Sequence, residues 1–146
     1  MSPTKRTVAD WMTPNPITIQ EDASIIEAIH LLKEKNIRRL PVMRGGAIAG
    51  LVTEKMLSGY VPTKATSLDQ WEIHYLLSKT PVKAAMNATP YTVHPETPIA
   101  EAAKLLRDRK LNGVIVVDAQ GKLAGLMTNT DALEALIHFA EAAESR

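Results

Sequence analysis

The chain repeats itself. Displaced by the 74 residues that separate Met12 from Met86, Val8 falls on Val82, Pro16 on Pro90, Thr18 on Thr92 and Ile25 on Ile99. At the same offset Glu27-Ala28 falls on Glu101-Ala102, Leu31-Leu32 on Leu105-Leu106 and Val42 on Val116. One extra residue near Gly121 moves the offset to 75, and Gly50 then meets Gly125. A repeat this long is one supersecondary unit, and 146 residues hold two of them. Neither copy alone buries both faces of so small a sheet, so the two are expected to pack together about a pseudo-twofold axis. The expected domains are residues 7–59 and 81–144, with a helix-bearing linker over 60–80.

Each copy has the same α/β (α+β) order, β-α-β-β-α. A short helical lead-in, Val8 to Met12 or Val82 to Met86, runs into a proline-bearing loop and a brief extended piece. An amphipathic helix follows, from about Ile25 to Lys35 and from about Pro98 to Lys110. Ser24 with Glu27 makes a capping box for the first; Thr97 as N-cap, with Pro98 in the first helical position, opens the second. The stripes Ile25, Ala28, Ile29, Leu32 and Ile99, Ala102, Ala103, Leu106 face a core. Two strands come next, 39–43 with 47–52 and 114–117 with 122–127. Pro41 inside the first of these places it at a sheet edge or beside a bulge. The closing helix is short in the first copy. In the second it runs from Asn129 towards Glu144, with Ala132, Leu133, Leu136, Ile137 and Ala140 as its apolar stripe. Between the copies, a linker from Tyr60 to Ser67 leads to a helix over Leu68–Leu77, with Leu68, Trp71, Ile73, Tyr75 and Leu76 available for burial.

The chemistry concentrates in Gly125-Leu126-Met127-Thr128-Asn129-Thr130-Asp131. The apolar pair ends a buried strand and Thr128 starts a helix. The first N–H groups of a helix suit an anion such as phosphate, to which Thr128 adds a hydroxyl. Asp131, one turn on, can accept from the vicinal hydroxyls of a ribose. Thr-x-x-Asp is equally a helix cap, and local sequence leaves both readings open. The first copy, Gly50-Leu51-Val52-Thr53-Glu54-Lys55-Met56, keeps the glycine and threonine but sets Met56 where the aspartate would be. Methionine accepts nothing from a ribose, so the two copies are not equivalent.

Other chemistries find little support. Formal net charge is +1, from 17 basic and 16 acidic residues, so no overall field draws nucleic acid or an acidic membrane. There is no cysteine, which removes disulfides and thiolate chemistry. His30, His74, His94 and His138 lack metal-ligand spacing, so no metal site and no catalytic residue is assigned. The N-terminus leads into no apolar signal segment, and no apolar run is long enough to span a bilayer. A soluble, cytoplasmic protein that is not an enzyme is expected.

In order, spacing and duplication, the chain resembles a tandem pair of CBS domains, the Bateman module. The resemblance rests on Val8-x-x-Trp11-Met12-Thr13-Pro14-x-x-x-Thr18-Ile19, on Arg38-Arg39-Leu40-Pro41-Val42 and on the two Gly-Leu-x-Thr stretches. Trp71 to Lys79 is similar to the connecting segment of the stand-alone, acetoin-utilisation (AcuB-like) type. The resemblance implies a regulatory module that binds AMP, ADP, ATP or another adenosyl ligand, requires no cofactor, forms a homodimer and signals to an effector protein. It implies a ribose on Asp131 and a phosphate near Thr128, with Thr92, Val93, Asn112, Gly113 and Val114 lining the ligand. It also implies that Arg38, Arg39 and Lys55 of the first copy supply charge to that phosphate, while Thr53 and Met56 form a degenerate second site. The rival reading is a ligand-free dimerisation or docking module.

Overall fold

The computed structural model describes residues 5–61 and 68–145, so residues 62–67 of the expected linker, the first four residues and Arg146 lie outside the described residues. In chain order the elements are α1 (Val8–Trp11), β1 (Thr13–Pro14), β2 (Ile19–Gln20), α2 (Ile25–Lys35), β3 (Arg39–Arg44), β4 (Ala47–Thr53), α3 (Glu54–Ser58), α4 (Gln70–Lys79), a 3-10 turn (Val82–Ala84), β5 (Thr92–Val93), α5 (Ile99–Asp108), β6 (Gly113–Val117), β7 (Leu123–Thr128) and α6 (Asn129–Glu144). The fold is mixed α and β, two units that each combine a sheet with helices.

The compact units cut across the repeats. One comprises Ile17–Pro90; the other joins the residues up to Pro16 to those from Tyr91 on. Each unit therefore takes its lead-in from the other copy. In the first, Val82 N donates to Ala23 O (2.7 Å), Lys83 N to Glu21 O (3.0 Å) and Ile25 N to Thr80 O (2.9 Å). In the second, the same three bonds recur as Val8 N to Thr97 O (2.9 Å), Ala9 N to Pro95 O (2.9 Å) and Ile99 N to Arg6 O (2.8 Å). The lead-ins carry an apolar residue that the opposite core needs: Val82 and Val8 are both fully buried.

The unit of residues 17–90 has a three-stranded sheet in the order β2-β3-β4, with β2 parallel and β4 antiparallel to β3. Its core gathers Ile19, Ile25, Ala28, Leu32, Leu40, Val42, Val52, Leu57, Leu77 and Val82. Pro41 thus lies in the central strand rather than an edge, and the bulge expected beside it falls between Val42 and Met43. The short β2 pairs only with Val42 and Met43, so the missing N–H of Pro41 interrupts no bond on that side. Ser24 caps α2 by accepting from Glu27 N at 3.1 Å, and Asn36 ends it in the left-handed conformation.

The other unit has a four-stranded sheet, β1-β7-β6-β5, and a core of Val8, Val93, Ala102, Leu106, Val114, Val116 and Met127. The N-cap of α5 is Pro98 and not Thr97, whose hydroxyl turns back to accept from His94 N at 3.0 Å. Two helix faces also depart from expectation. On α6, Leu133, Leu136 and Ile137 are exposed; the inward face is Ala132, Ala135 and Phe139, the last ringed by Trp11 and His138. On α4, Leu77 and Ile73 turn inward while Trp71, Tyr75 and Leu76 stay exposed. Both helices carry apolar residues around more than one face, and periodicity alone does not say which face wins.

Candidate functional site

The motif glycines serve packing. A Cβ on Gly125 would lie 2.7 Å from Thr13 O and 2.8 Å from Met12 Sδ; one on Gly50 would lie 2.5 Å from Asn87 O and 2.9 Å from Met86 Sδ. Each glycine admits the crossing lead-in, and the strand beyond it delivers a threonine to the start of a helix.

At Thr128 that helix start is reciprocal. Thr128 Oγ1 accepts from Asp131 N (3.3 Å), and Asp131 Oδ2 accepts from Thr128 N (2.8 Å) and from Thr128 Oγ1 (3.2 Å). The capping reading is therefore realised, and it is compatible with ligand binding because both carboxylate bonds fall on Oδ2. A carboxylate offers about four acceptor positions over its two oxygens, so Oδ1 keeps acceptor capacity. The half-buried side chain is held in one orientation by its own cap.

The hairpin register places Gly113 opposite Thr128, and Thr92 opposite Ile115 on the far side of β6. Asn112, Gly113 and Thr128 thus share one end of the sheet, and Thr92 lies further in, level with the middle of β6. Asn112 is exposed, and its carbonyl accepts from Asn129 N at 3.1 Å while its side-chain oxygen accepts from Asn129 Nδ2 at 3.3 Å. Val93 and Val114 are core residues, so only their backbone can line a ligand. His94 Nδ1 donates to Val117 O at 2.9 Å, which ties the following loop to the sheet. Two helix N–H groups that the motif offered to an anion, those of Asn129 and Asp131, are met by Asn112 O and Thr128 Oγ1. The part of Asn129 in bracing this edge becomes visible only once the hairpin register is known.

The other unit repeats the frame with different side chains. Thr53 Oγ1 accepts from Met56 N at 3.1 Å, with nothing returned, and Met56 packs against the core. Arg39 sits opposite Thr53, where Gly113 sits opposite Thr128, and Arg38 stands in the place of Asn112. Arg38 and Lys55 are exposed and Arg39 is half-buried. A groove of 540 Å³ between α5 and α6 borders Asn112 and Asn129, and its counterpart between α2 and α3 holds 260 Å³. Among the described residues no cluster of His, Asp or Glu could hold a metal ion, and no helix is long and apolar enough to cross a membrane.

Comparison with known proteins agrees with this architecture. The CBS domain family model matches residues 8–62 and 82–138. A CBS domain-containing protein of Dictyostelium discoideum is 31% identical over 141 residues, covering 92% of this chain and 93% of its own. The crystal structure of CBSX2, a CBS-pair protein of Arabidopsis thaliana, in complex with AMP superposes with a TM-score of 0.77 at 31% identity, over 92% of this chain and 98% of that one. A Vibrio cholerae protein assigned to acetoin utilization (AcuB) superposes with a TM-score of 0.77 at 25% identity, over 96% of each chain. The chain belongs to the CBS-domain family, as a tandem pair of AcuB-like type.

Proposed function

We propose that this chain is a regulatory module that binds one adenine nucleotide, with AMP as the reference ligand, and is not an enzyme. The observation that carries the reading is the Thr128–Asp131 cap, which engages Oδ2 and leaves Oδ1 to accept from a ribose. Gly113, opposite Thr128, lets a ligand come close to the backbone, and the exposed Asn129 and Thr130 flank the helix start where a phosphate would sit. The AMP complex of CBSX2 supports the choice of ligand class. In this reading the chain works in the cytoplasm as a homodimer, and an effector protein reads the bound state.

The test is a titration with AMP and with its 2′-deoxy analogue. We expect one AMP per chain and weaker binding of the deoxy analogue by roughly tenfold or more, the scale of a lost bond to a charged acceptor. Asp131→Ala should bind the two equally poorly, because the group that tells them apart is gone. Equal affinities on the wild type would sink the ribose assignment. No stabilisation by AMP, where saturation at 100 times Kd adds about 2.7 kcal/mol, would favour the ligand-free docking module.

A further inference from the structure

The groove between α5 and α6 and its counterpart between α2 and α3 occupy equivalent places in the two copies, and their linings can be compared residue by residue. At the repeat offsets, Leu106 answers Leu32 as a buried floor and Arg107 answers Lys33. The other matched positions differ. Ala103 stands where the first copy has Ile29, Ala132 where it has Leu57, and Asn129 where it has Glu54. Two alanines in place of two large apolar side chains account for a space of 540 Å³ against 260 Å³. In the first copy Val61, beyond the short α3, adds a further wall; α6 runs straight on, and no residue beyond Leu133 lines its groove.

The charges change in the same sense. Lys33 and Glu54 bring a cation and a carboxylate to the first groove. Arg107 and Lys110 line the second, and among the described residues no carboxylate does. Arg107 Nε donates to Asp108 Oδ1 at 2.8 Å, an exposed pairing on its own helix that involves one donor of a five-donor group. Relative to its twin, the second groove therefore lacks apolar bulk and one negative charge.

We propose that the α5/α6 groove is a ligand site in its own right, taking a small amphipathic carboxylate of the medium-chain fatty acid class. The chain lies over Leu106 in the space beside Ala103 and Ala132, and the carboxylate meets Arg107 and Lys110. Burial of the chain drives binding, and the charge-assisted bonds fix its direction. Neither Thr128 nor Asp131 lines this groove, so its ligand and the nucleotide do not compete for the same groups.

The probe is octanoate, titrated into the full chain below its micellar range and followed by amide chemical shifts, with octanol as the uncharged control. We expect saturable shifts centred on Ala103, Arg107 and Ala132 and a Kd below about 1 mM, which a ligand of about ten non-hydrogen atoms reaches well inside the usual efficiency limit. Octanol should bind at least tenfold more weakly. Arg107→Gln combined with Lys110→Gln should bring octanoate down to the affinity of octanol; both side chains are exposed, so the fold survives their loss. Ala103→Ile with Ala132→Leu gives the second groove the side chains of the first and should abolish binding. Ala103→Ile alone, the milder change, should still weaken octanoate at least tenfold. Octanol binding as tightly as octanoate overturns the carboxylate assignment, and a filled groove that binds like the wild type overturns the location. Octanoate without saturable shifts on the wild type overturns the site and assigns the groove to an apolar side chain of a partner protein. AMP is titrated into the same samples, so the loss of either proposal is read separately from the other.

Discussion

The helix starts at Thr53 and Thr128 share a frame and differ in equipment. Both follow a strand whose glycine lies under a methionine of the crossing lead-in. Both are braced by the same backbone bond, Glu54 N to Arg38 O at 2.9 Å and Asn129 N to Asn112 O at 3.1 Å. On one frame sit Arg38, Arg39 and Met56; on the other sit Asn112, Gly113 and Asp131. Met56 supports its own unit by packing, and Asp131 supports its unit by returning the cap. The same fold requirement is thus met in two ways, and only one of them leaves an acceptor for a ligand. On the proposed function, binding competence would rest on side chains set on a duplicated backbone.

Substitutions at matched positions can break that comparison, and the largest effect is expected on binding. Asp131→Ala should weaken AMP by roughly 10- to 150-fold, the scale of a charge-assisted hydrogen bond, whereas Met56→Ala should leave affinity unchanged. Calorimetry decides, and two equivalent sites per chain would erase the distinction between the units. Next come the glycines, where the units should behave alike. Gly125→Ala and Gly50→Ala each push a methyl into a backbone carbonyl and should cost about 1–3 kcal/mol by denaturant unfolding. A neutral result at either would mean that its lead-in shifts freely.

The caps should differ again. Thr128→Ala breaks a reciprocal pair and should cost nearer the top of the roughly 0.5–2 kcal/mol range for N-caps, with Thr53→Ala nearer the bottom. Equal losses would show that the return bond from Asp131 adds nothing. At the far ends of α2 and α5, Asn36 (φ 52°) and Lys110 (φ 55°) hold the same left-handed conformation. Asparagine adopts it at less steric cost than lysine, so Lys110→Asn should gain up to about 1 kcal/mol in thermal unfolding.

The smallest effect concerns acid. Arg44 donates to Glu21 through Nε (2.7 Å) and Nη2 (3.1 Å), and this hydrogen-bonded pairing holds the Glu21 carboxyl below its ordinary range. A lowered folded-state value contributes stability above the usual glutamate range and loses it as pH falls. Arg44→Gln should therefore differ slightly from the wild type at neutral pH and converge with it in acid, as followed by pH-dependent melting.

Much of this was legible from residue order. The repeat, the extent of α2, the strand pairs and the unequal fourth positions of the two Thr-x-x-Asp/Met motifs are all local patterns, and they reappear in the fold. The exchange of lead-ins was not legible. Val8 and Val82 occupy equivalent places in both repeats, and nothing in an equivalent pair says which core each enters. The outer faces of α4 and α6 were misread for a related reason: apolar residues such as Leu133, Leu136, Trp71 and Tyr75 satisfy a helical stripe as well as the residues that turned inward. At the candidate site, the motif located Thr128 and Asp131. The use of Oδ2 alone, and the bracing of Asn129 by Asn112, depend on a hairpin register that spacing does not specify.

The exchanged lead-ins bear on how such a chain could have arisen. A gene fragment encoding residues 17–61 alone would lack Val82, Ala85 and Met86, all of which pack into that core, and lengthening it backwards would add only Val8, which belongs elsewhere. An unduplicated ancestor with one lead-in and one body would have closed its core by trading lead-ins with another molecule. Joining two such bodies in one chain makes that trade intramolecular, and each body then carries its own residue at the fourth position, Met56 in one and Asp131 in the other.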